Sequence, residues 1–307
     1  MILSSTSHAI NSILNTLNSI ILGKTIPTKL ALACILAKGH LLIQDLPGVG
    51  KTTLAHTLAN TLGLAFQRIQ FTSDMLPADI LGVSIFERET NHFNFHKGPI
   101  FSQLLLVDEV NRATPRTQSA LLEAMEEHQV SIEGKTYRLP EPFFVIATQN
   151  PSNQIGTFPL PESQLDRFLM RIEIGYPNAE AERELLLGQD RRQIMQQLQA
   201  VIATDQLIEI QTIVQNIHVS PAIVDYIQQL LAHSRSSDLF HFGLSPRAGL
   251  GLLRAAKAWA LIEHREQVLP EDVQAVFPSV VSHRLKTRDK HLGSEVINSL
   301  IAQVAIA

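Results

Sequence analysis

The residues best suited to chemistry lie at three points in the chain. The first is the run Asp45-Leu46-Pro47-Gly48-Val49-Gly50-Lys51-Thr52-Thr53, which follows an apolar stretch at 40–43 and opens into a predicted helix over 52–62. A strand, a glycine-rich turn and a helix N-terminus together offer free backbone N–H groups and the positive end of a helix dipole to an anion. Lys51 adds a point charge for the outer phosphates, and the Thr52 hydroxyl suits the accompanying Mg²⁺. The spacing is that of a P-loop, G-x-x-x-x-G-K-[ST], except that Asp45 stands where the pattern has glycine. The second point is Asp108-Glu109, at the tip of the apolar run 104–107. Asp108 suits holding Mg²⁺ through its water shell, and Glu109 suits polarising an attacking water. The third is Asn150, beyond the apolar run 143–147, whose neutral amide suits orienting that water or touching a terminal phosphate. Taken singly, each has a plainer reading: a turn with a solvated lysine, two solvated carboxylates, a turn residue before Pro151. Their conjunction in one alternating α/β segment favours nucleotide hydrolysis. Arg167 and Arg247 are candidate charge stabilisers that the residues alone do not separate from surface arginines.

These groups need a scaffold that brings several strand ends to one edge. The runs at 40–43, 104–107 and 143–147 read as strands buried on both faces of a parallel sheet, with further strands at 65–70 and 170–174. Ile10, Ile13, Leu14, Leu17, Ile20 and Ile21 have helical spacing, and a second helix is predicted over 28–38. Alternating segments at 83–87 and 92–96 predict a hairpin turning at 88–91, and 129–132 with 135–139 predict another turning at Glu133-Gly134. His92 and His96 share a face of the first hairpin with no carboxylate or cysteine partner nearby, so they read as solvated residues rather than metal ligands. From about Pro177 the strand signal stops. Helical periodicity then runs through 179–198, 204–215, 221–234, 245–264, 270–277 and 294–305, with Pro221 and Pro270 at helix starts.

Composition narrows the class. A hydrophobic content of 45% with 18% charged residues gives the chain enough apolar matter for a real core. A formal net charge of −4 argues against nucleic acid as a standing partner. The single cysteine, Cys34, sits in an apolar stretch, which excludes a disulfide framework and reads as a small buried hydrophobe. No apolar stretch reaches the roughly 20 uncharged residues of a membrane span, and the first 18 residues lack a cationic start followed by an apolar block. The expected location is the cytoplasm.

The long runs LLLVDEVNRATPRTQSALLEAMEEHQVSIEG, FFVIATQNPSNQIGTFPLPESQLDRFL and LSPRAGLGLLRAAKAWA strongly resemble the MoxR family of AAA+ ATPases, and GHLLIQDLPGVGKTTLA fits that family's P-loop. The resemblance covers nearly the whole chain. It implies a P-loop α/β core over 1–176, three layered around a parallel five-stranded sheet, and a smaller all-α lid over 177–307. It implies ATP and Mg²⁺ as cofactors. Pro47, Gly48, Val49, Gly50, Lys51, Thr52 and Thr53 then form Walker A, Asp108 and Glu109 form Walker B, and Asn150 is sensor 1. Arg167 corresponds to the arginine finger that reaches into a neighbour's site, and Arg247 to sensor 2, expected to close over its own subunit's nucleotide. Gly23 resembles the segment that packs on adenine. The hairpins resemble the pore-facing inserts of the helix-2-insert branch, carrying Arg88, His92, Lys97, Lys135 and Arg138. Asp45 reads as a tolerated variation outside the direct phosphate contacts.

For assembly and role, the resemblance implies a homo-oligomeric ring, usually a hexamer. It also implies a chaperone-like remodelling activity with a partner carrying a von Willebrand factor A domain and an unknown client. The Asp-x-Ser-x-Ser metal site of such a domain does not occur in these residues, so that partner is expected as a separate chain. Two alternatives stand beside this reading: a nucleotide-dependent binding switch that does no mechanical work, and a nucleic-acid motor, which the net charge disfavours.

Overall fold

The computed structural model describes residues 2–89, 91–150, 156–188, 194–195, 197–288 and 295–305. Helices α1 (Ile2–Ile20) and α2 (Thr25–Leu36) lead into β1 (Leu41–Gln44), α3 (Lys51–Thr61) and β2 (Phe66–Gln70). A short α4 (Pro77–Leu81) and the hairpin β3 (Gly82–Glu87) with β4 (His92–Lys97) precede β5 (Leu104–Asp108) and α5 (Pro115–Glu127). The second hairpin, β6 (Gln129–Ile132) with β7 (Lys135–Arg138), is followed by β8 (Phe144–Gln149), α6 (Glu162–Leu165) and β9 (Met170–Ile172). Only helices follow among the described residues: α7 (Ala179–Leu187), α8 (Thr204–Asn216), α9 (Pro221–Ser236), α10 (Pro246–Ile262), α11 (Pro270–Val281) and α12 (Glu295–Gln303). The continuation of the first of these to residue 198, expected from periodicity, falls partly outside the described residues, as does Thr90 in the first hairpin's turn.

The five long-range strands form one sheet in the order β2-β5-β8-β1-β9, with every pairing parallel. Period-two alternation distributes their side chains between two cores. Leu41, Ile43, Leu104, Leu106, Phe144 and Ile146 join the cluster formed with α1, α2 and α3, whereas Leu42, Leu105, Val107, Val145 and Ala147 join the one beneath α5. That division is the three-layer αβα arrangement. The first cluster continues without a break into α8, α10 and α11, so the helical part shares its packing with the face of the sheet covered by α2. No helix among the described residues is long and apolar enough to cross a membrane.

Both hairpins form as predicted, in antiparallel register. Glu133 and Gly134 both take positive φ, the requirement of a tight two-residue hairpin turn. The Phe95 ring stacks on Tyr137, with centroids 4.3 Å apart, and so joins one hairpin to the other. Their exposed surface is more apolar than the basic content picked out from sequence suggests: Val83, Ile85, Phe86 and Phe93 all reach solvent. His92 and His96 are exposed, and no cluster of metal-binding side chains occurs among the described residues.

Candidate nucleotide site

Parallel strands place their C-terminal ends at one edge of the sheet, and ligands collect there. The P-loop leaves β1 at that edge. Gly48 and Gly50 both take positive φ, and the positions their Cβ atoms would occupy are open, so backbone faces the space in front of α3. Gly50 caps α3 without a side-chain bond to its first amides. Lys51 donates from Nζ to the Asp45 carbonyl at 2.5 Å and to Asn150 Oδ1 at 3.0 Å. Burial lowers its pKa, against the opposing pull of Asp45, Asp108 and Glu109.

Because β8 lies between β1 and β5, Asn150 stands between Lys51 and the acidic pair. Its Nδ2 donates to Glu109 Oε1 at 3.0 Å. Lys51, Asn150 and Glu109 are thus joined through one amide. Glu109 sits in the left-handed region, at φ 55° and ψ 51°, a conformation costing a non-glycine residue about 1 kcal/mol or more, which turns the chain out of β5. Its backbone N–H is held by Thr148 Oγ1 at 3.0 Å. Its Oε2 accepts from Gln70 at 2.7 Å and pairs with Arg112 at 2.8 Å. Asp108 accepts from the Thr148 hydroxyl at 3.1 Å and from Arg68 Nε at 2.7 Å. The hydroxyl of Thr52 and the carboxylate of Asp108 are hard oxygen donors of the kind Mg²⁺ takes alongside phosphate and water. The Arg68 side chain paired with Asp108 is half exposed. The donor set therefore fits a Mg²⁺–nucleotide.

Gly23 follows α1 and takes a positive φ of +67°. A Cβ there would meet Ala181 Cβ at 3.0 Å, at the start of α7.

Arg167 and Arg247 are elsewhere. Arg167 precedes β9, at the N-terminal edge of the sheet. Ser245 accepts from the Ala248 amide at 3.1 Å and starts α10, which puts Arg247 in its first turn. Both arginines close on Glu126, near the end of α5: Arg167 Nε is 3.0 Å from Oε2 and Arg247 Nη1 is 2.9 Å from Oε1. The cavity around them, about 180 Å³, also meets Lys38, Gly39 and His40, which lie just before β1, whereas the P-loop lies just after it. A four-residue strand separates those ends by about 13 Å. Arg247, expected to close over its own subunit's nucleotide, shares an edge with Arg167 in this structure. A cation in the first turn of a helix opposes the helix dipole, which makes a carboxylate or phosphate partner there favourable.

Three residues complete these arrangements, and two of them, Glu126 and Arg284, carried no sequence signal. Glu126 looks like any charged residue on a solvated helix face. Arg284 follows α11, with its side chain only 7% exposed. It ties Asp166 at 2.6 Å and donates to the carbonyls of Phe168 and Leu169, so it fixes the segment that bears Arg167. Asp45 is more than a tolerated variation: it is buried, and its carboxylate accepts three backbone N–H groups. Of these, only Asp45 had a visible signal, as the one departure from the P-loop pattern.

The family model described as "ATPase family associated with various cellular activities (AAA)" matches residues 40–170, and an AAA lid domain model matches residues 232–301. The chain is 39% identical to the protein named Chaperone MoxR1 of Mycobacterium tuberculosis, over 97% of this chain and 82% of that one. It is 45% identical to the uncharacterized protein YeaC of Bacillus subtilis, over 88% of this chain and 84% of that one. A crystal structure of a Cytophaga hutchinsonii protein superposes with a TM-score of 0.90 at 34% identity, covering 99% of this chain and 97% of that one.

Proposed function

Because the chain belongs to the MoxR family of AAA+ ATPases, we propose that it hydrolyses ATP with Mg²⁺ at sites shared between neighbouring subunits of a ring, a hexamer by family resemblance. The turnover would drive chaperone-like remodelling or maturation of a partner complex in the cytoplasm. The partner in this reading is a separate chain with a von Willebrand factor A domain, acting on a client of its own.

One observation carries the shared site. Lys51, Asn150 and Glu109 are linked at the C-terminal edge of the sheet, while Arg167 and Arg247 are held together at the opposite edge. In a head-to-tail ring with these edges at the interface, the second edge of one subunit would meet the first edge of the next. The roles follow. Backbone N–H groups of 48–53 cradle the phosphates, and Lys51 moves from Asn150 and the Asp45 carbonyl onto the outer phosphates. Thr52 and Asp108 would hold Mg²⁺, which supplies neutralising charge to the phosphate oxygens. Glu109 takes the proton of the attacking water, and Asn150 keeps that carboxylate aimed. Gly23 lets the adenine end approach α7. Arg167 and Arg247 of the neighbour stabilise charge on the transferring phosphoryl, a contribution that can reach 10³–10⁵ in rate for an arginine finger.

Mixing subunits tests this. Arg167→Ala and Lys51→Ala proteins, each inactive alone, should recover part of the ATPase rate when mixed, because some interfaces then pair an intact P-loop with an intact arginine. Mixed rings that assemble yet stay inactive would rule out action between subunits. ATPase stimulation by single-stranded or duplex DNA would instead support the nucleic-acid motor.

A further inference from the structure

We propose that Asp45 is a positioning residue that ties the P-loop to the linker between core and lid, and thereby sets the nucleoside half of the site. This rests on the nucleotide reading above. A carboxylate at the entrance to a polyphosphate cradle repels the ligand, so its presence there needs a compensating contribution. The structure shows one. Oδ2 accepts the consecutive amides of Ile174 and Gly175, each at 2.6 Å, and Oδ1 accepts the amide of Leu46 at 2.7 Å. Asp45 is 8% exposed, and those three N–H groups take up its charge in place of water. Its own carbonyl holds Lys51. One residue therefore grips the phosphate-binding lysine with its backbone and the exit of β9 with its side chain.

The gripped segment is the start of the lid connection. Gly175 turns out of the strand with φ +68°, and the Tyr176 carbonyl accepts from Lys24 Nζ. Asn178 then caps α7 through Ala181 N at 2.8 Å and lies against Gly23. Residues 174–178 thus run from the P-loop to the Gly23 segment, alongside the space a nucleoside would fill. Asp45 anchors the phosphate end of that run. In a general P-loop, glycine at this position has no side chain to do so.

The full chain carrying Asp45→Gly, which restores the general P-loop pattern, gives the sharpest test. A reading from motif alone expects this variant to bind nucleotide at least as well. The clamp predicts that affinity for ADP falls at least tenfold while affinity for tripolyphosphate, which needs only the cradle, changes less than threefold. Titration calorimetry with each ligand and Mg²⁺ measures the split. Asp45→Asn, which keeps one acceptor oxygen, should lie between, and it carries the comparison if Asp45→Gly does not fold. Without nucleotide, exchange of the Ile174 and Gly175 amides should speed up at least tenfold in Asp45→Gly. Unchanged ADP affinity, or equal loss for both ligands, overturns the proposal. If the unsubstituted chain binds neither ligand, the nucleotide reading fails, and amide exchange still decides whether Asp45 holds the linker.

Discussion

Arg167 and Arg247 share one carboxylate, each paired with a different oxygen of Glu126. They come from different parts of the fold, the approach to β9 and the first turn of α10. Burial of the pair is incomplete, at 27% and 48% exposure, so breaking these contacts costs little and the arginines are available to a better anion. A neighbour's triphosphate is such an anion in the reading above.

Glu126 therefore competes with the shared site. Glu126→Gln should shift the protein concentration giving half-maximal ATPase rate downward several-fold, with little change in the plateau. Steady-state rates across a dilution series measure this. A lower plateau at unchanged stability would mean that Glu126 aims the arginines rather than restrains them.

Glu109 is predicted to act on water and not on binding. Glu109→Gln should bind ATP within a fewfold of the unsubstituted chain and lose about 10²–10⁴ in turnover. Lys51→Ala should lose binding itself. Equilibrium binding and single-turnover hydrolysis separate the two.

Arg284 joins the lid to the arginine-bearing segment through a buried network. Removing one partner of a buried ion pair costs about 3–5 kcal/mol, since the other charge is left behind. Arg284→Ala should be destabilised on that scale in urea unfolding, and Arg284→Lys, which lacks the planar fork, should recover only part of it.

His40 predicts how stability changes with acid. It is buried between Met125 O and the Val145 amide, and burial pushes its pKa down to about 4; His283 is likewise lowered, well below the usual value, by burial. Both are neutral in the fold and gain protons on unfolding, so their contribution is full above the ordinary histidine pKa and is lost as pH falls. From pH 8 to pH 5 the His40 share of that loss is about 2 kcal/mol, from its folded value near 4 against 6.5 unfolded. Urea midpoints at the two pH values check it.

Cys34 should be inert while the chain is folded. Burial pushes its thiol up to about 12, and it is fully covered. A thiol reagent at pH 8 should label it only at the rate of unfolding.

The local chemistry was legible in the sequence because contiguous residues make it. The turn from β1 into α3, the acidic pair ending β5, the amide after β8 and both hairpins are short-range constructions, and continuous apolar runs gave the central strands and their burial. Relations across the fold were not legible, because nothing in the spacing records them. Glu126 with Arg167 and Arg247, Arg284 with Asp166, and Asp45 with Ile174 and Gly175 are pairs of distant residues that only the packing of α5, α10 and β9 brings within bonding distance. The sequence determined which residues could bind a phosphate and activate a water. The tertiary structure decided which edge of the sheet each group occupies, because strand direction fixes one end of every element and helix packing fixes the other.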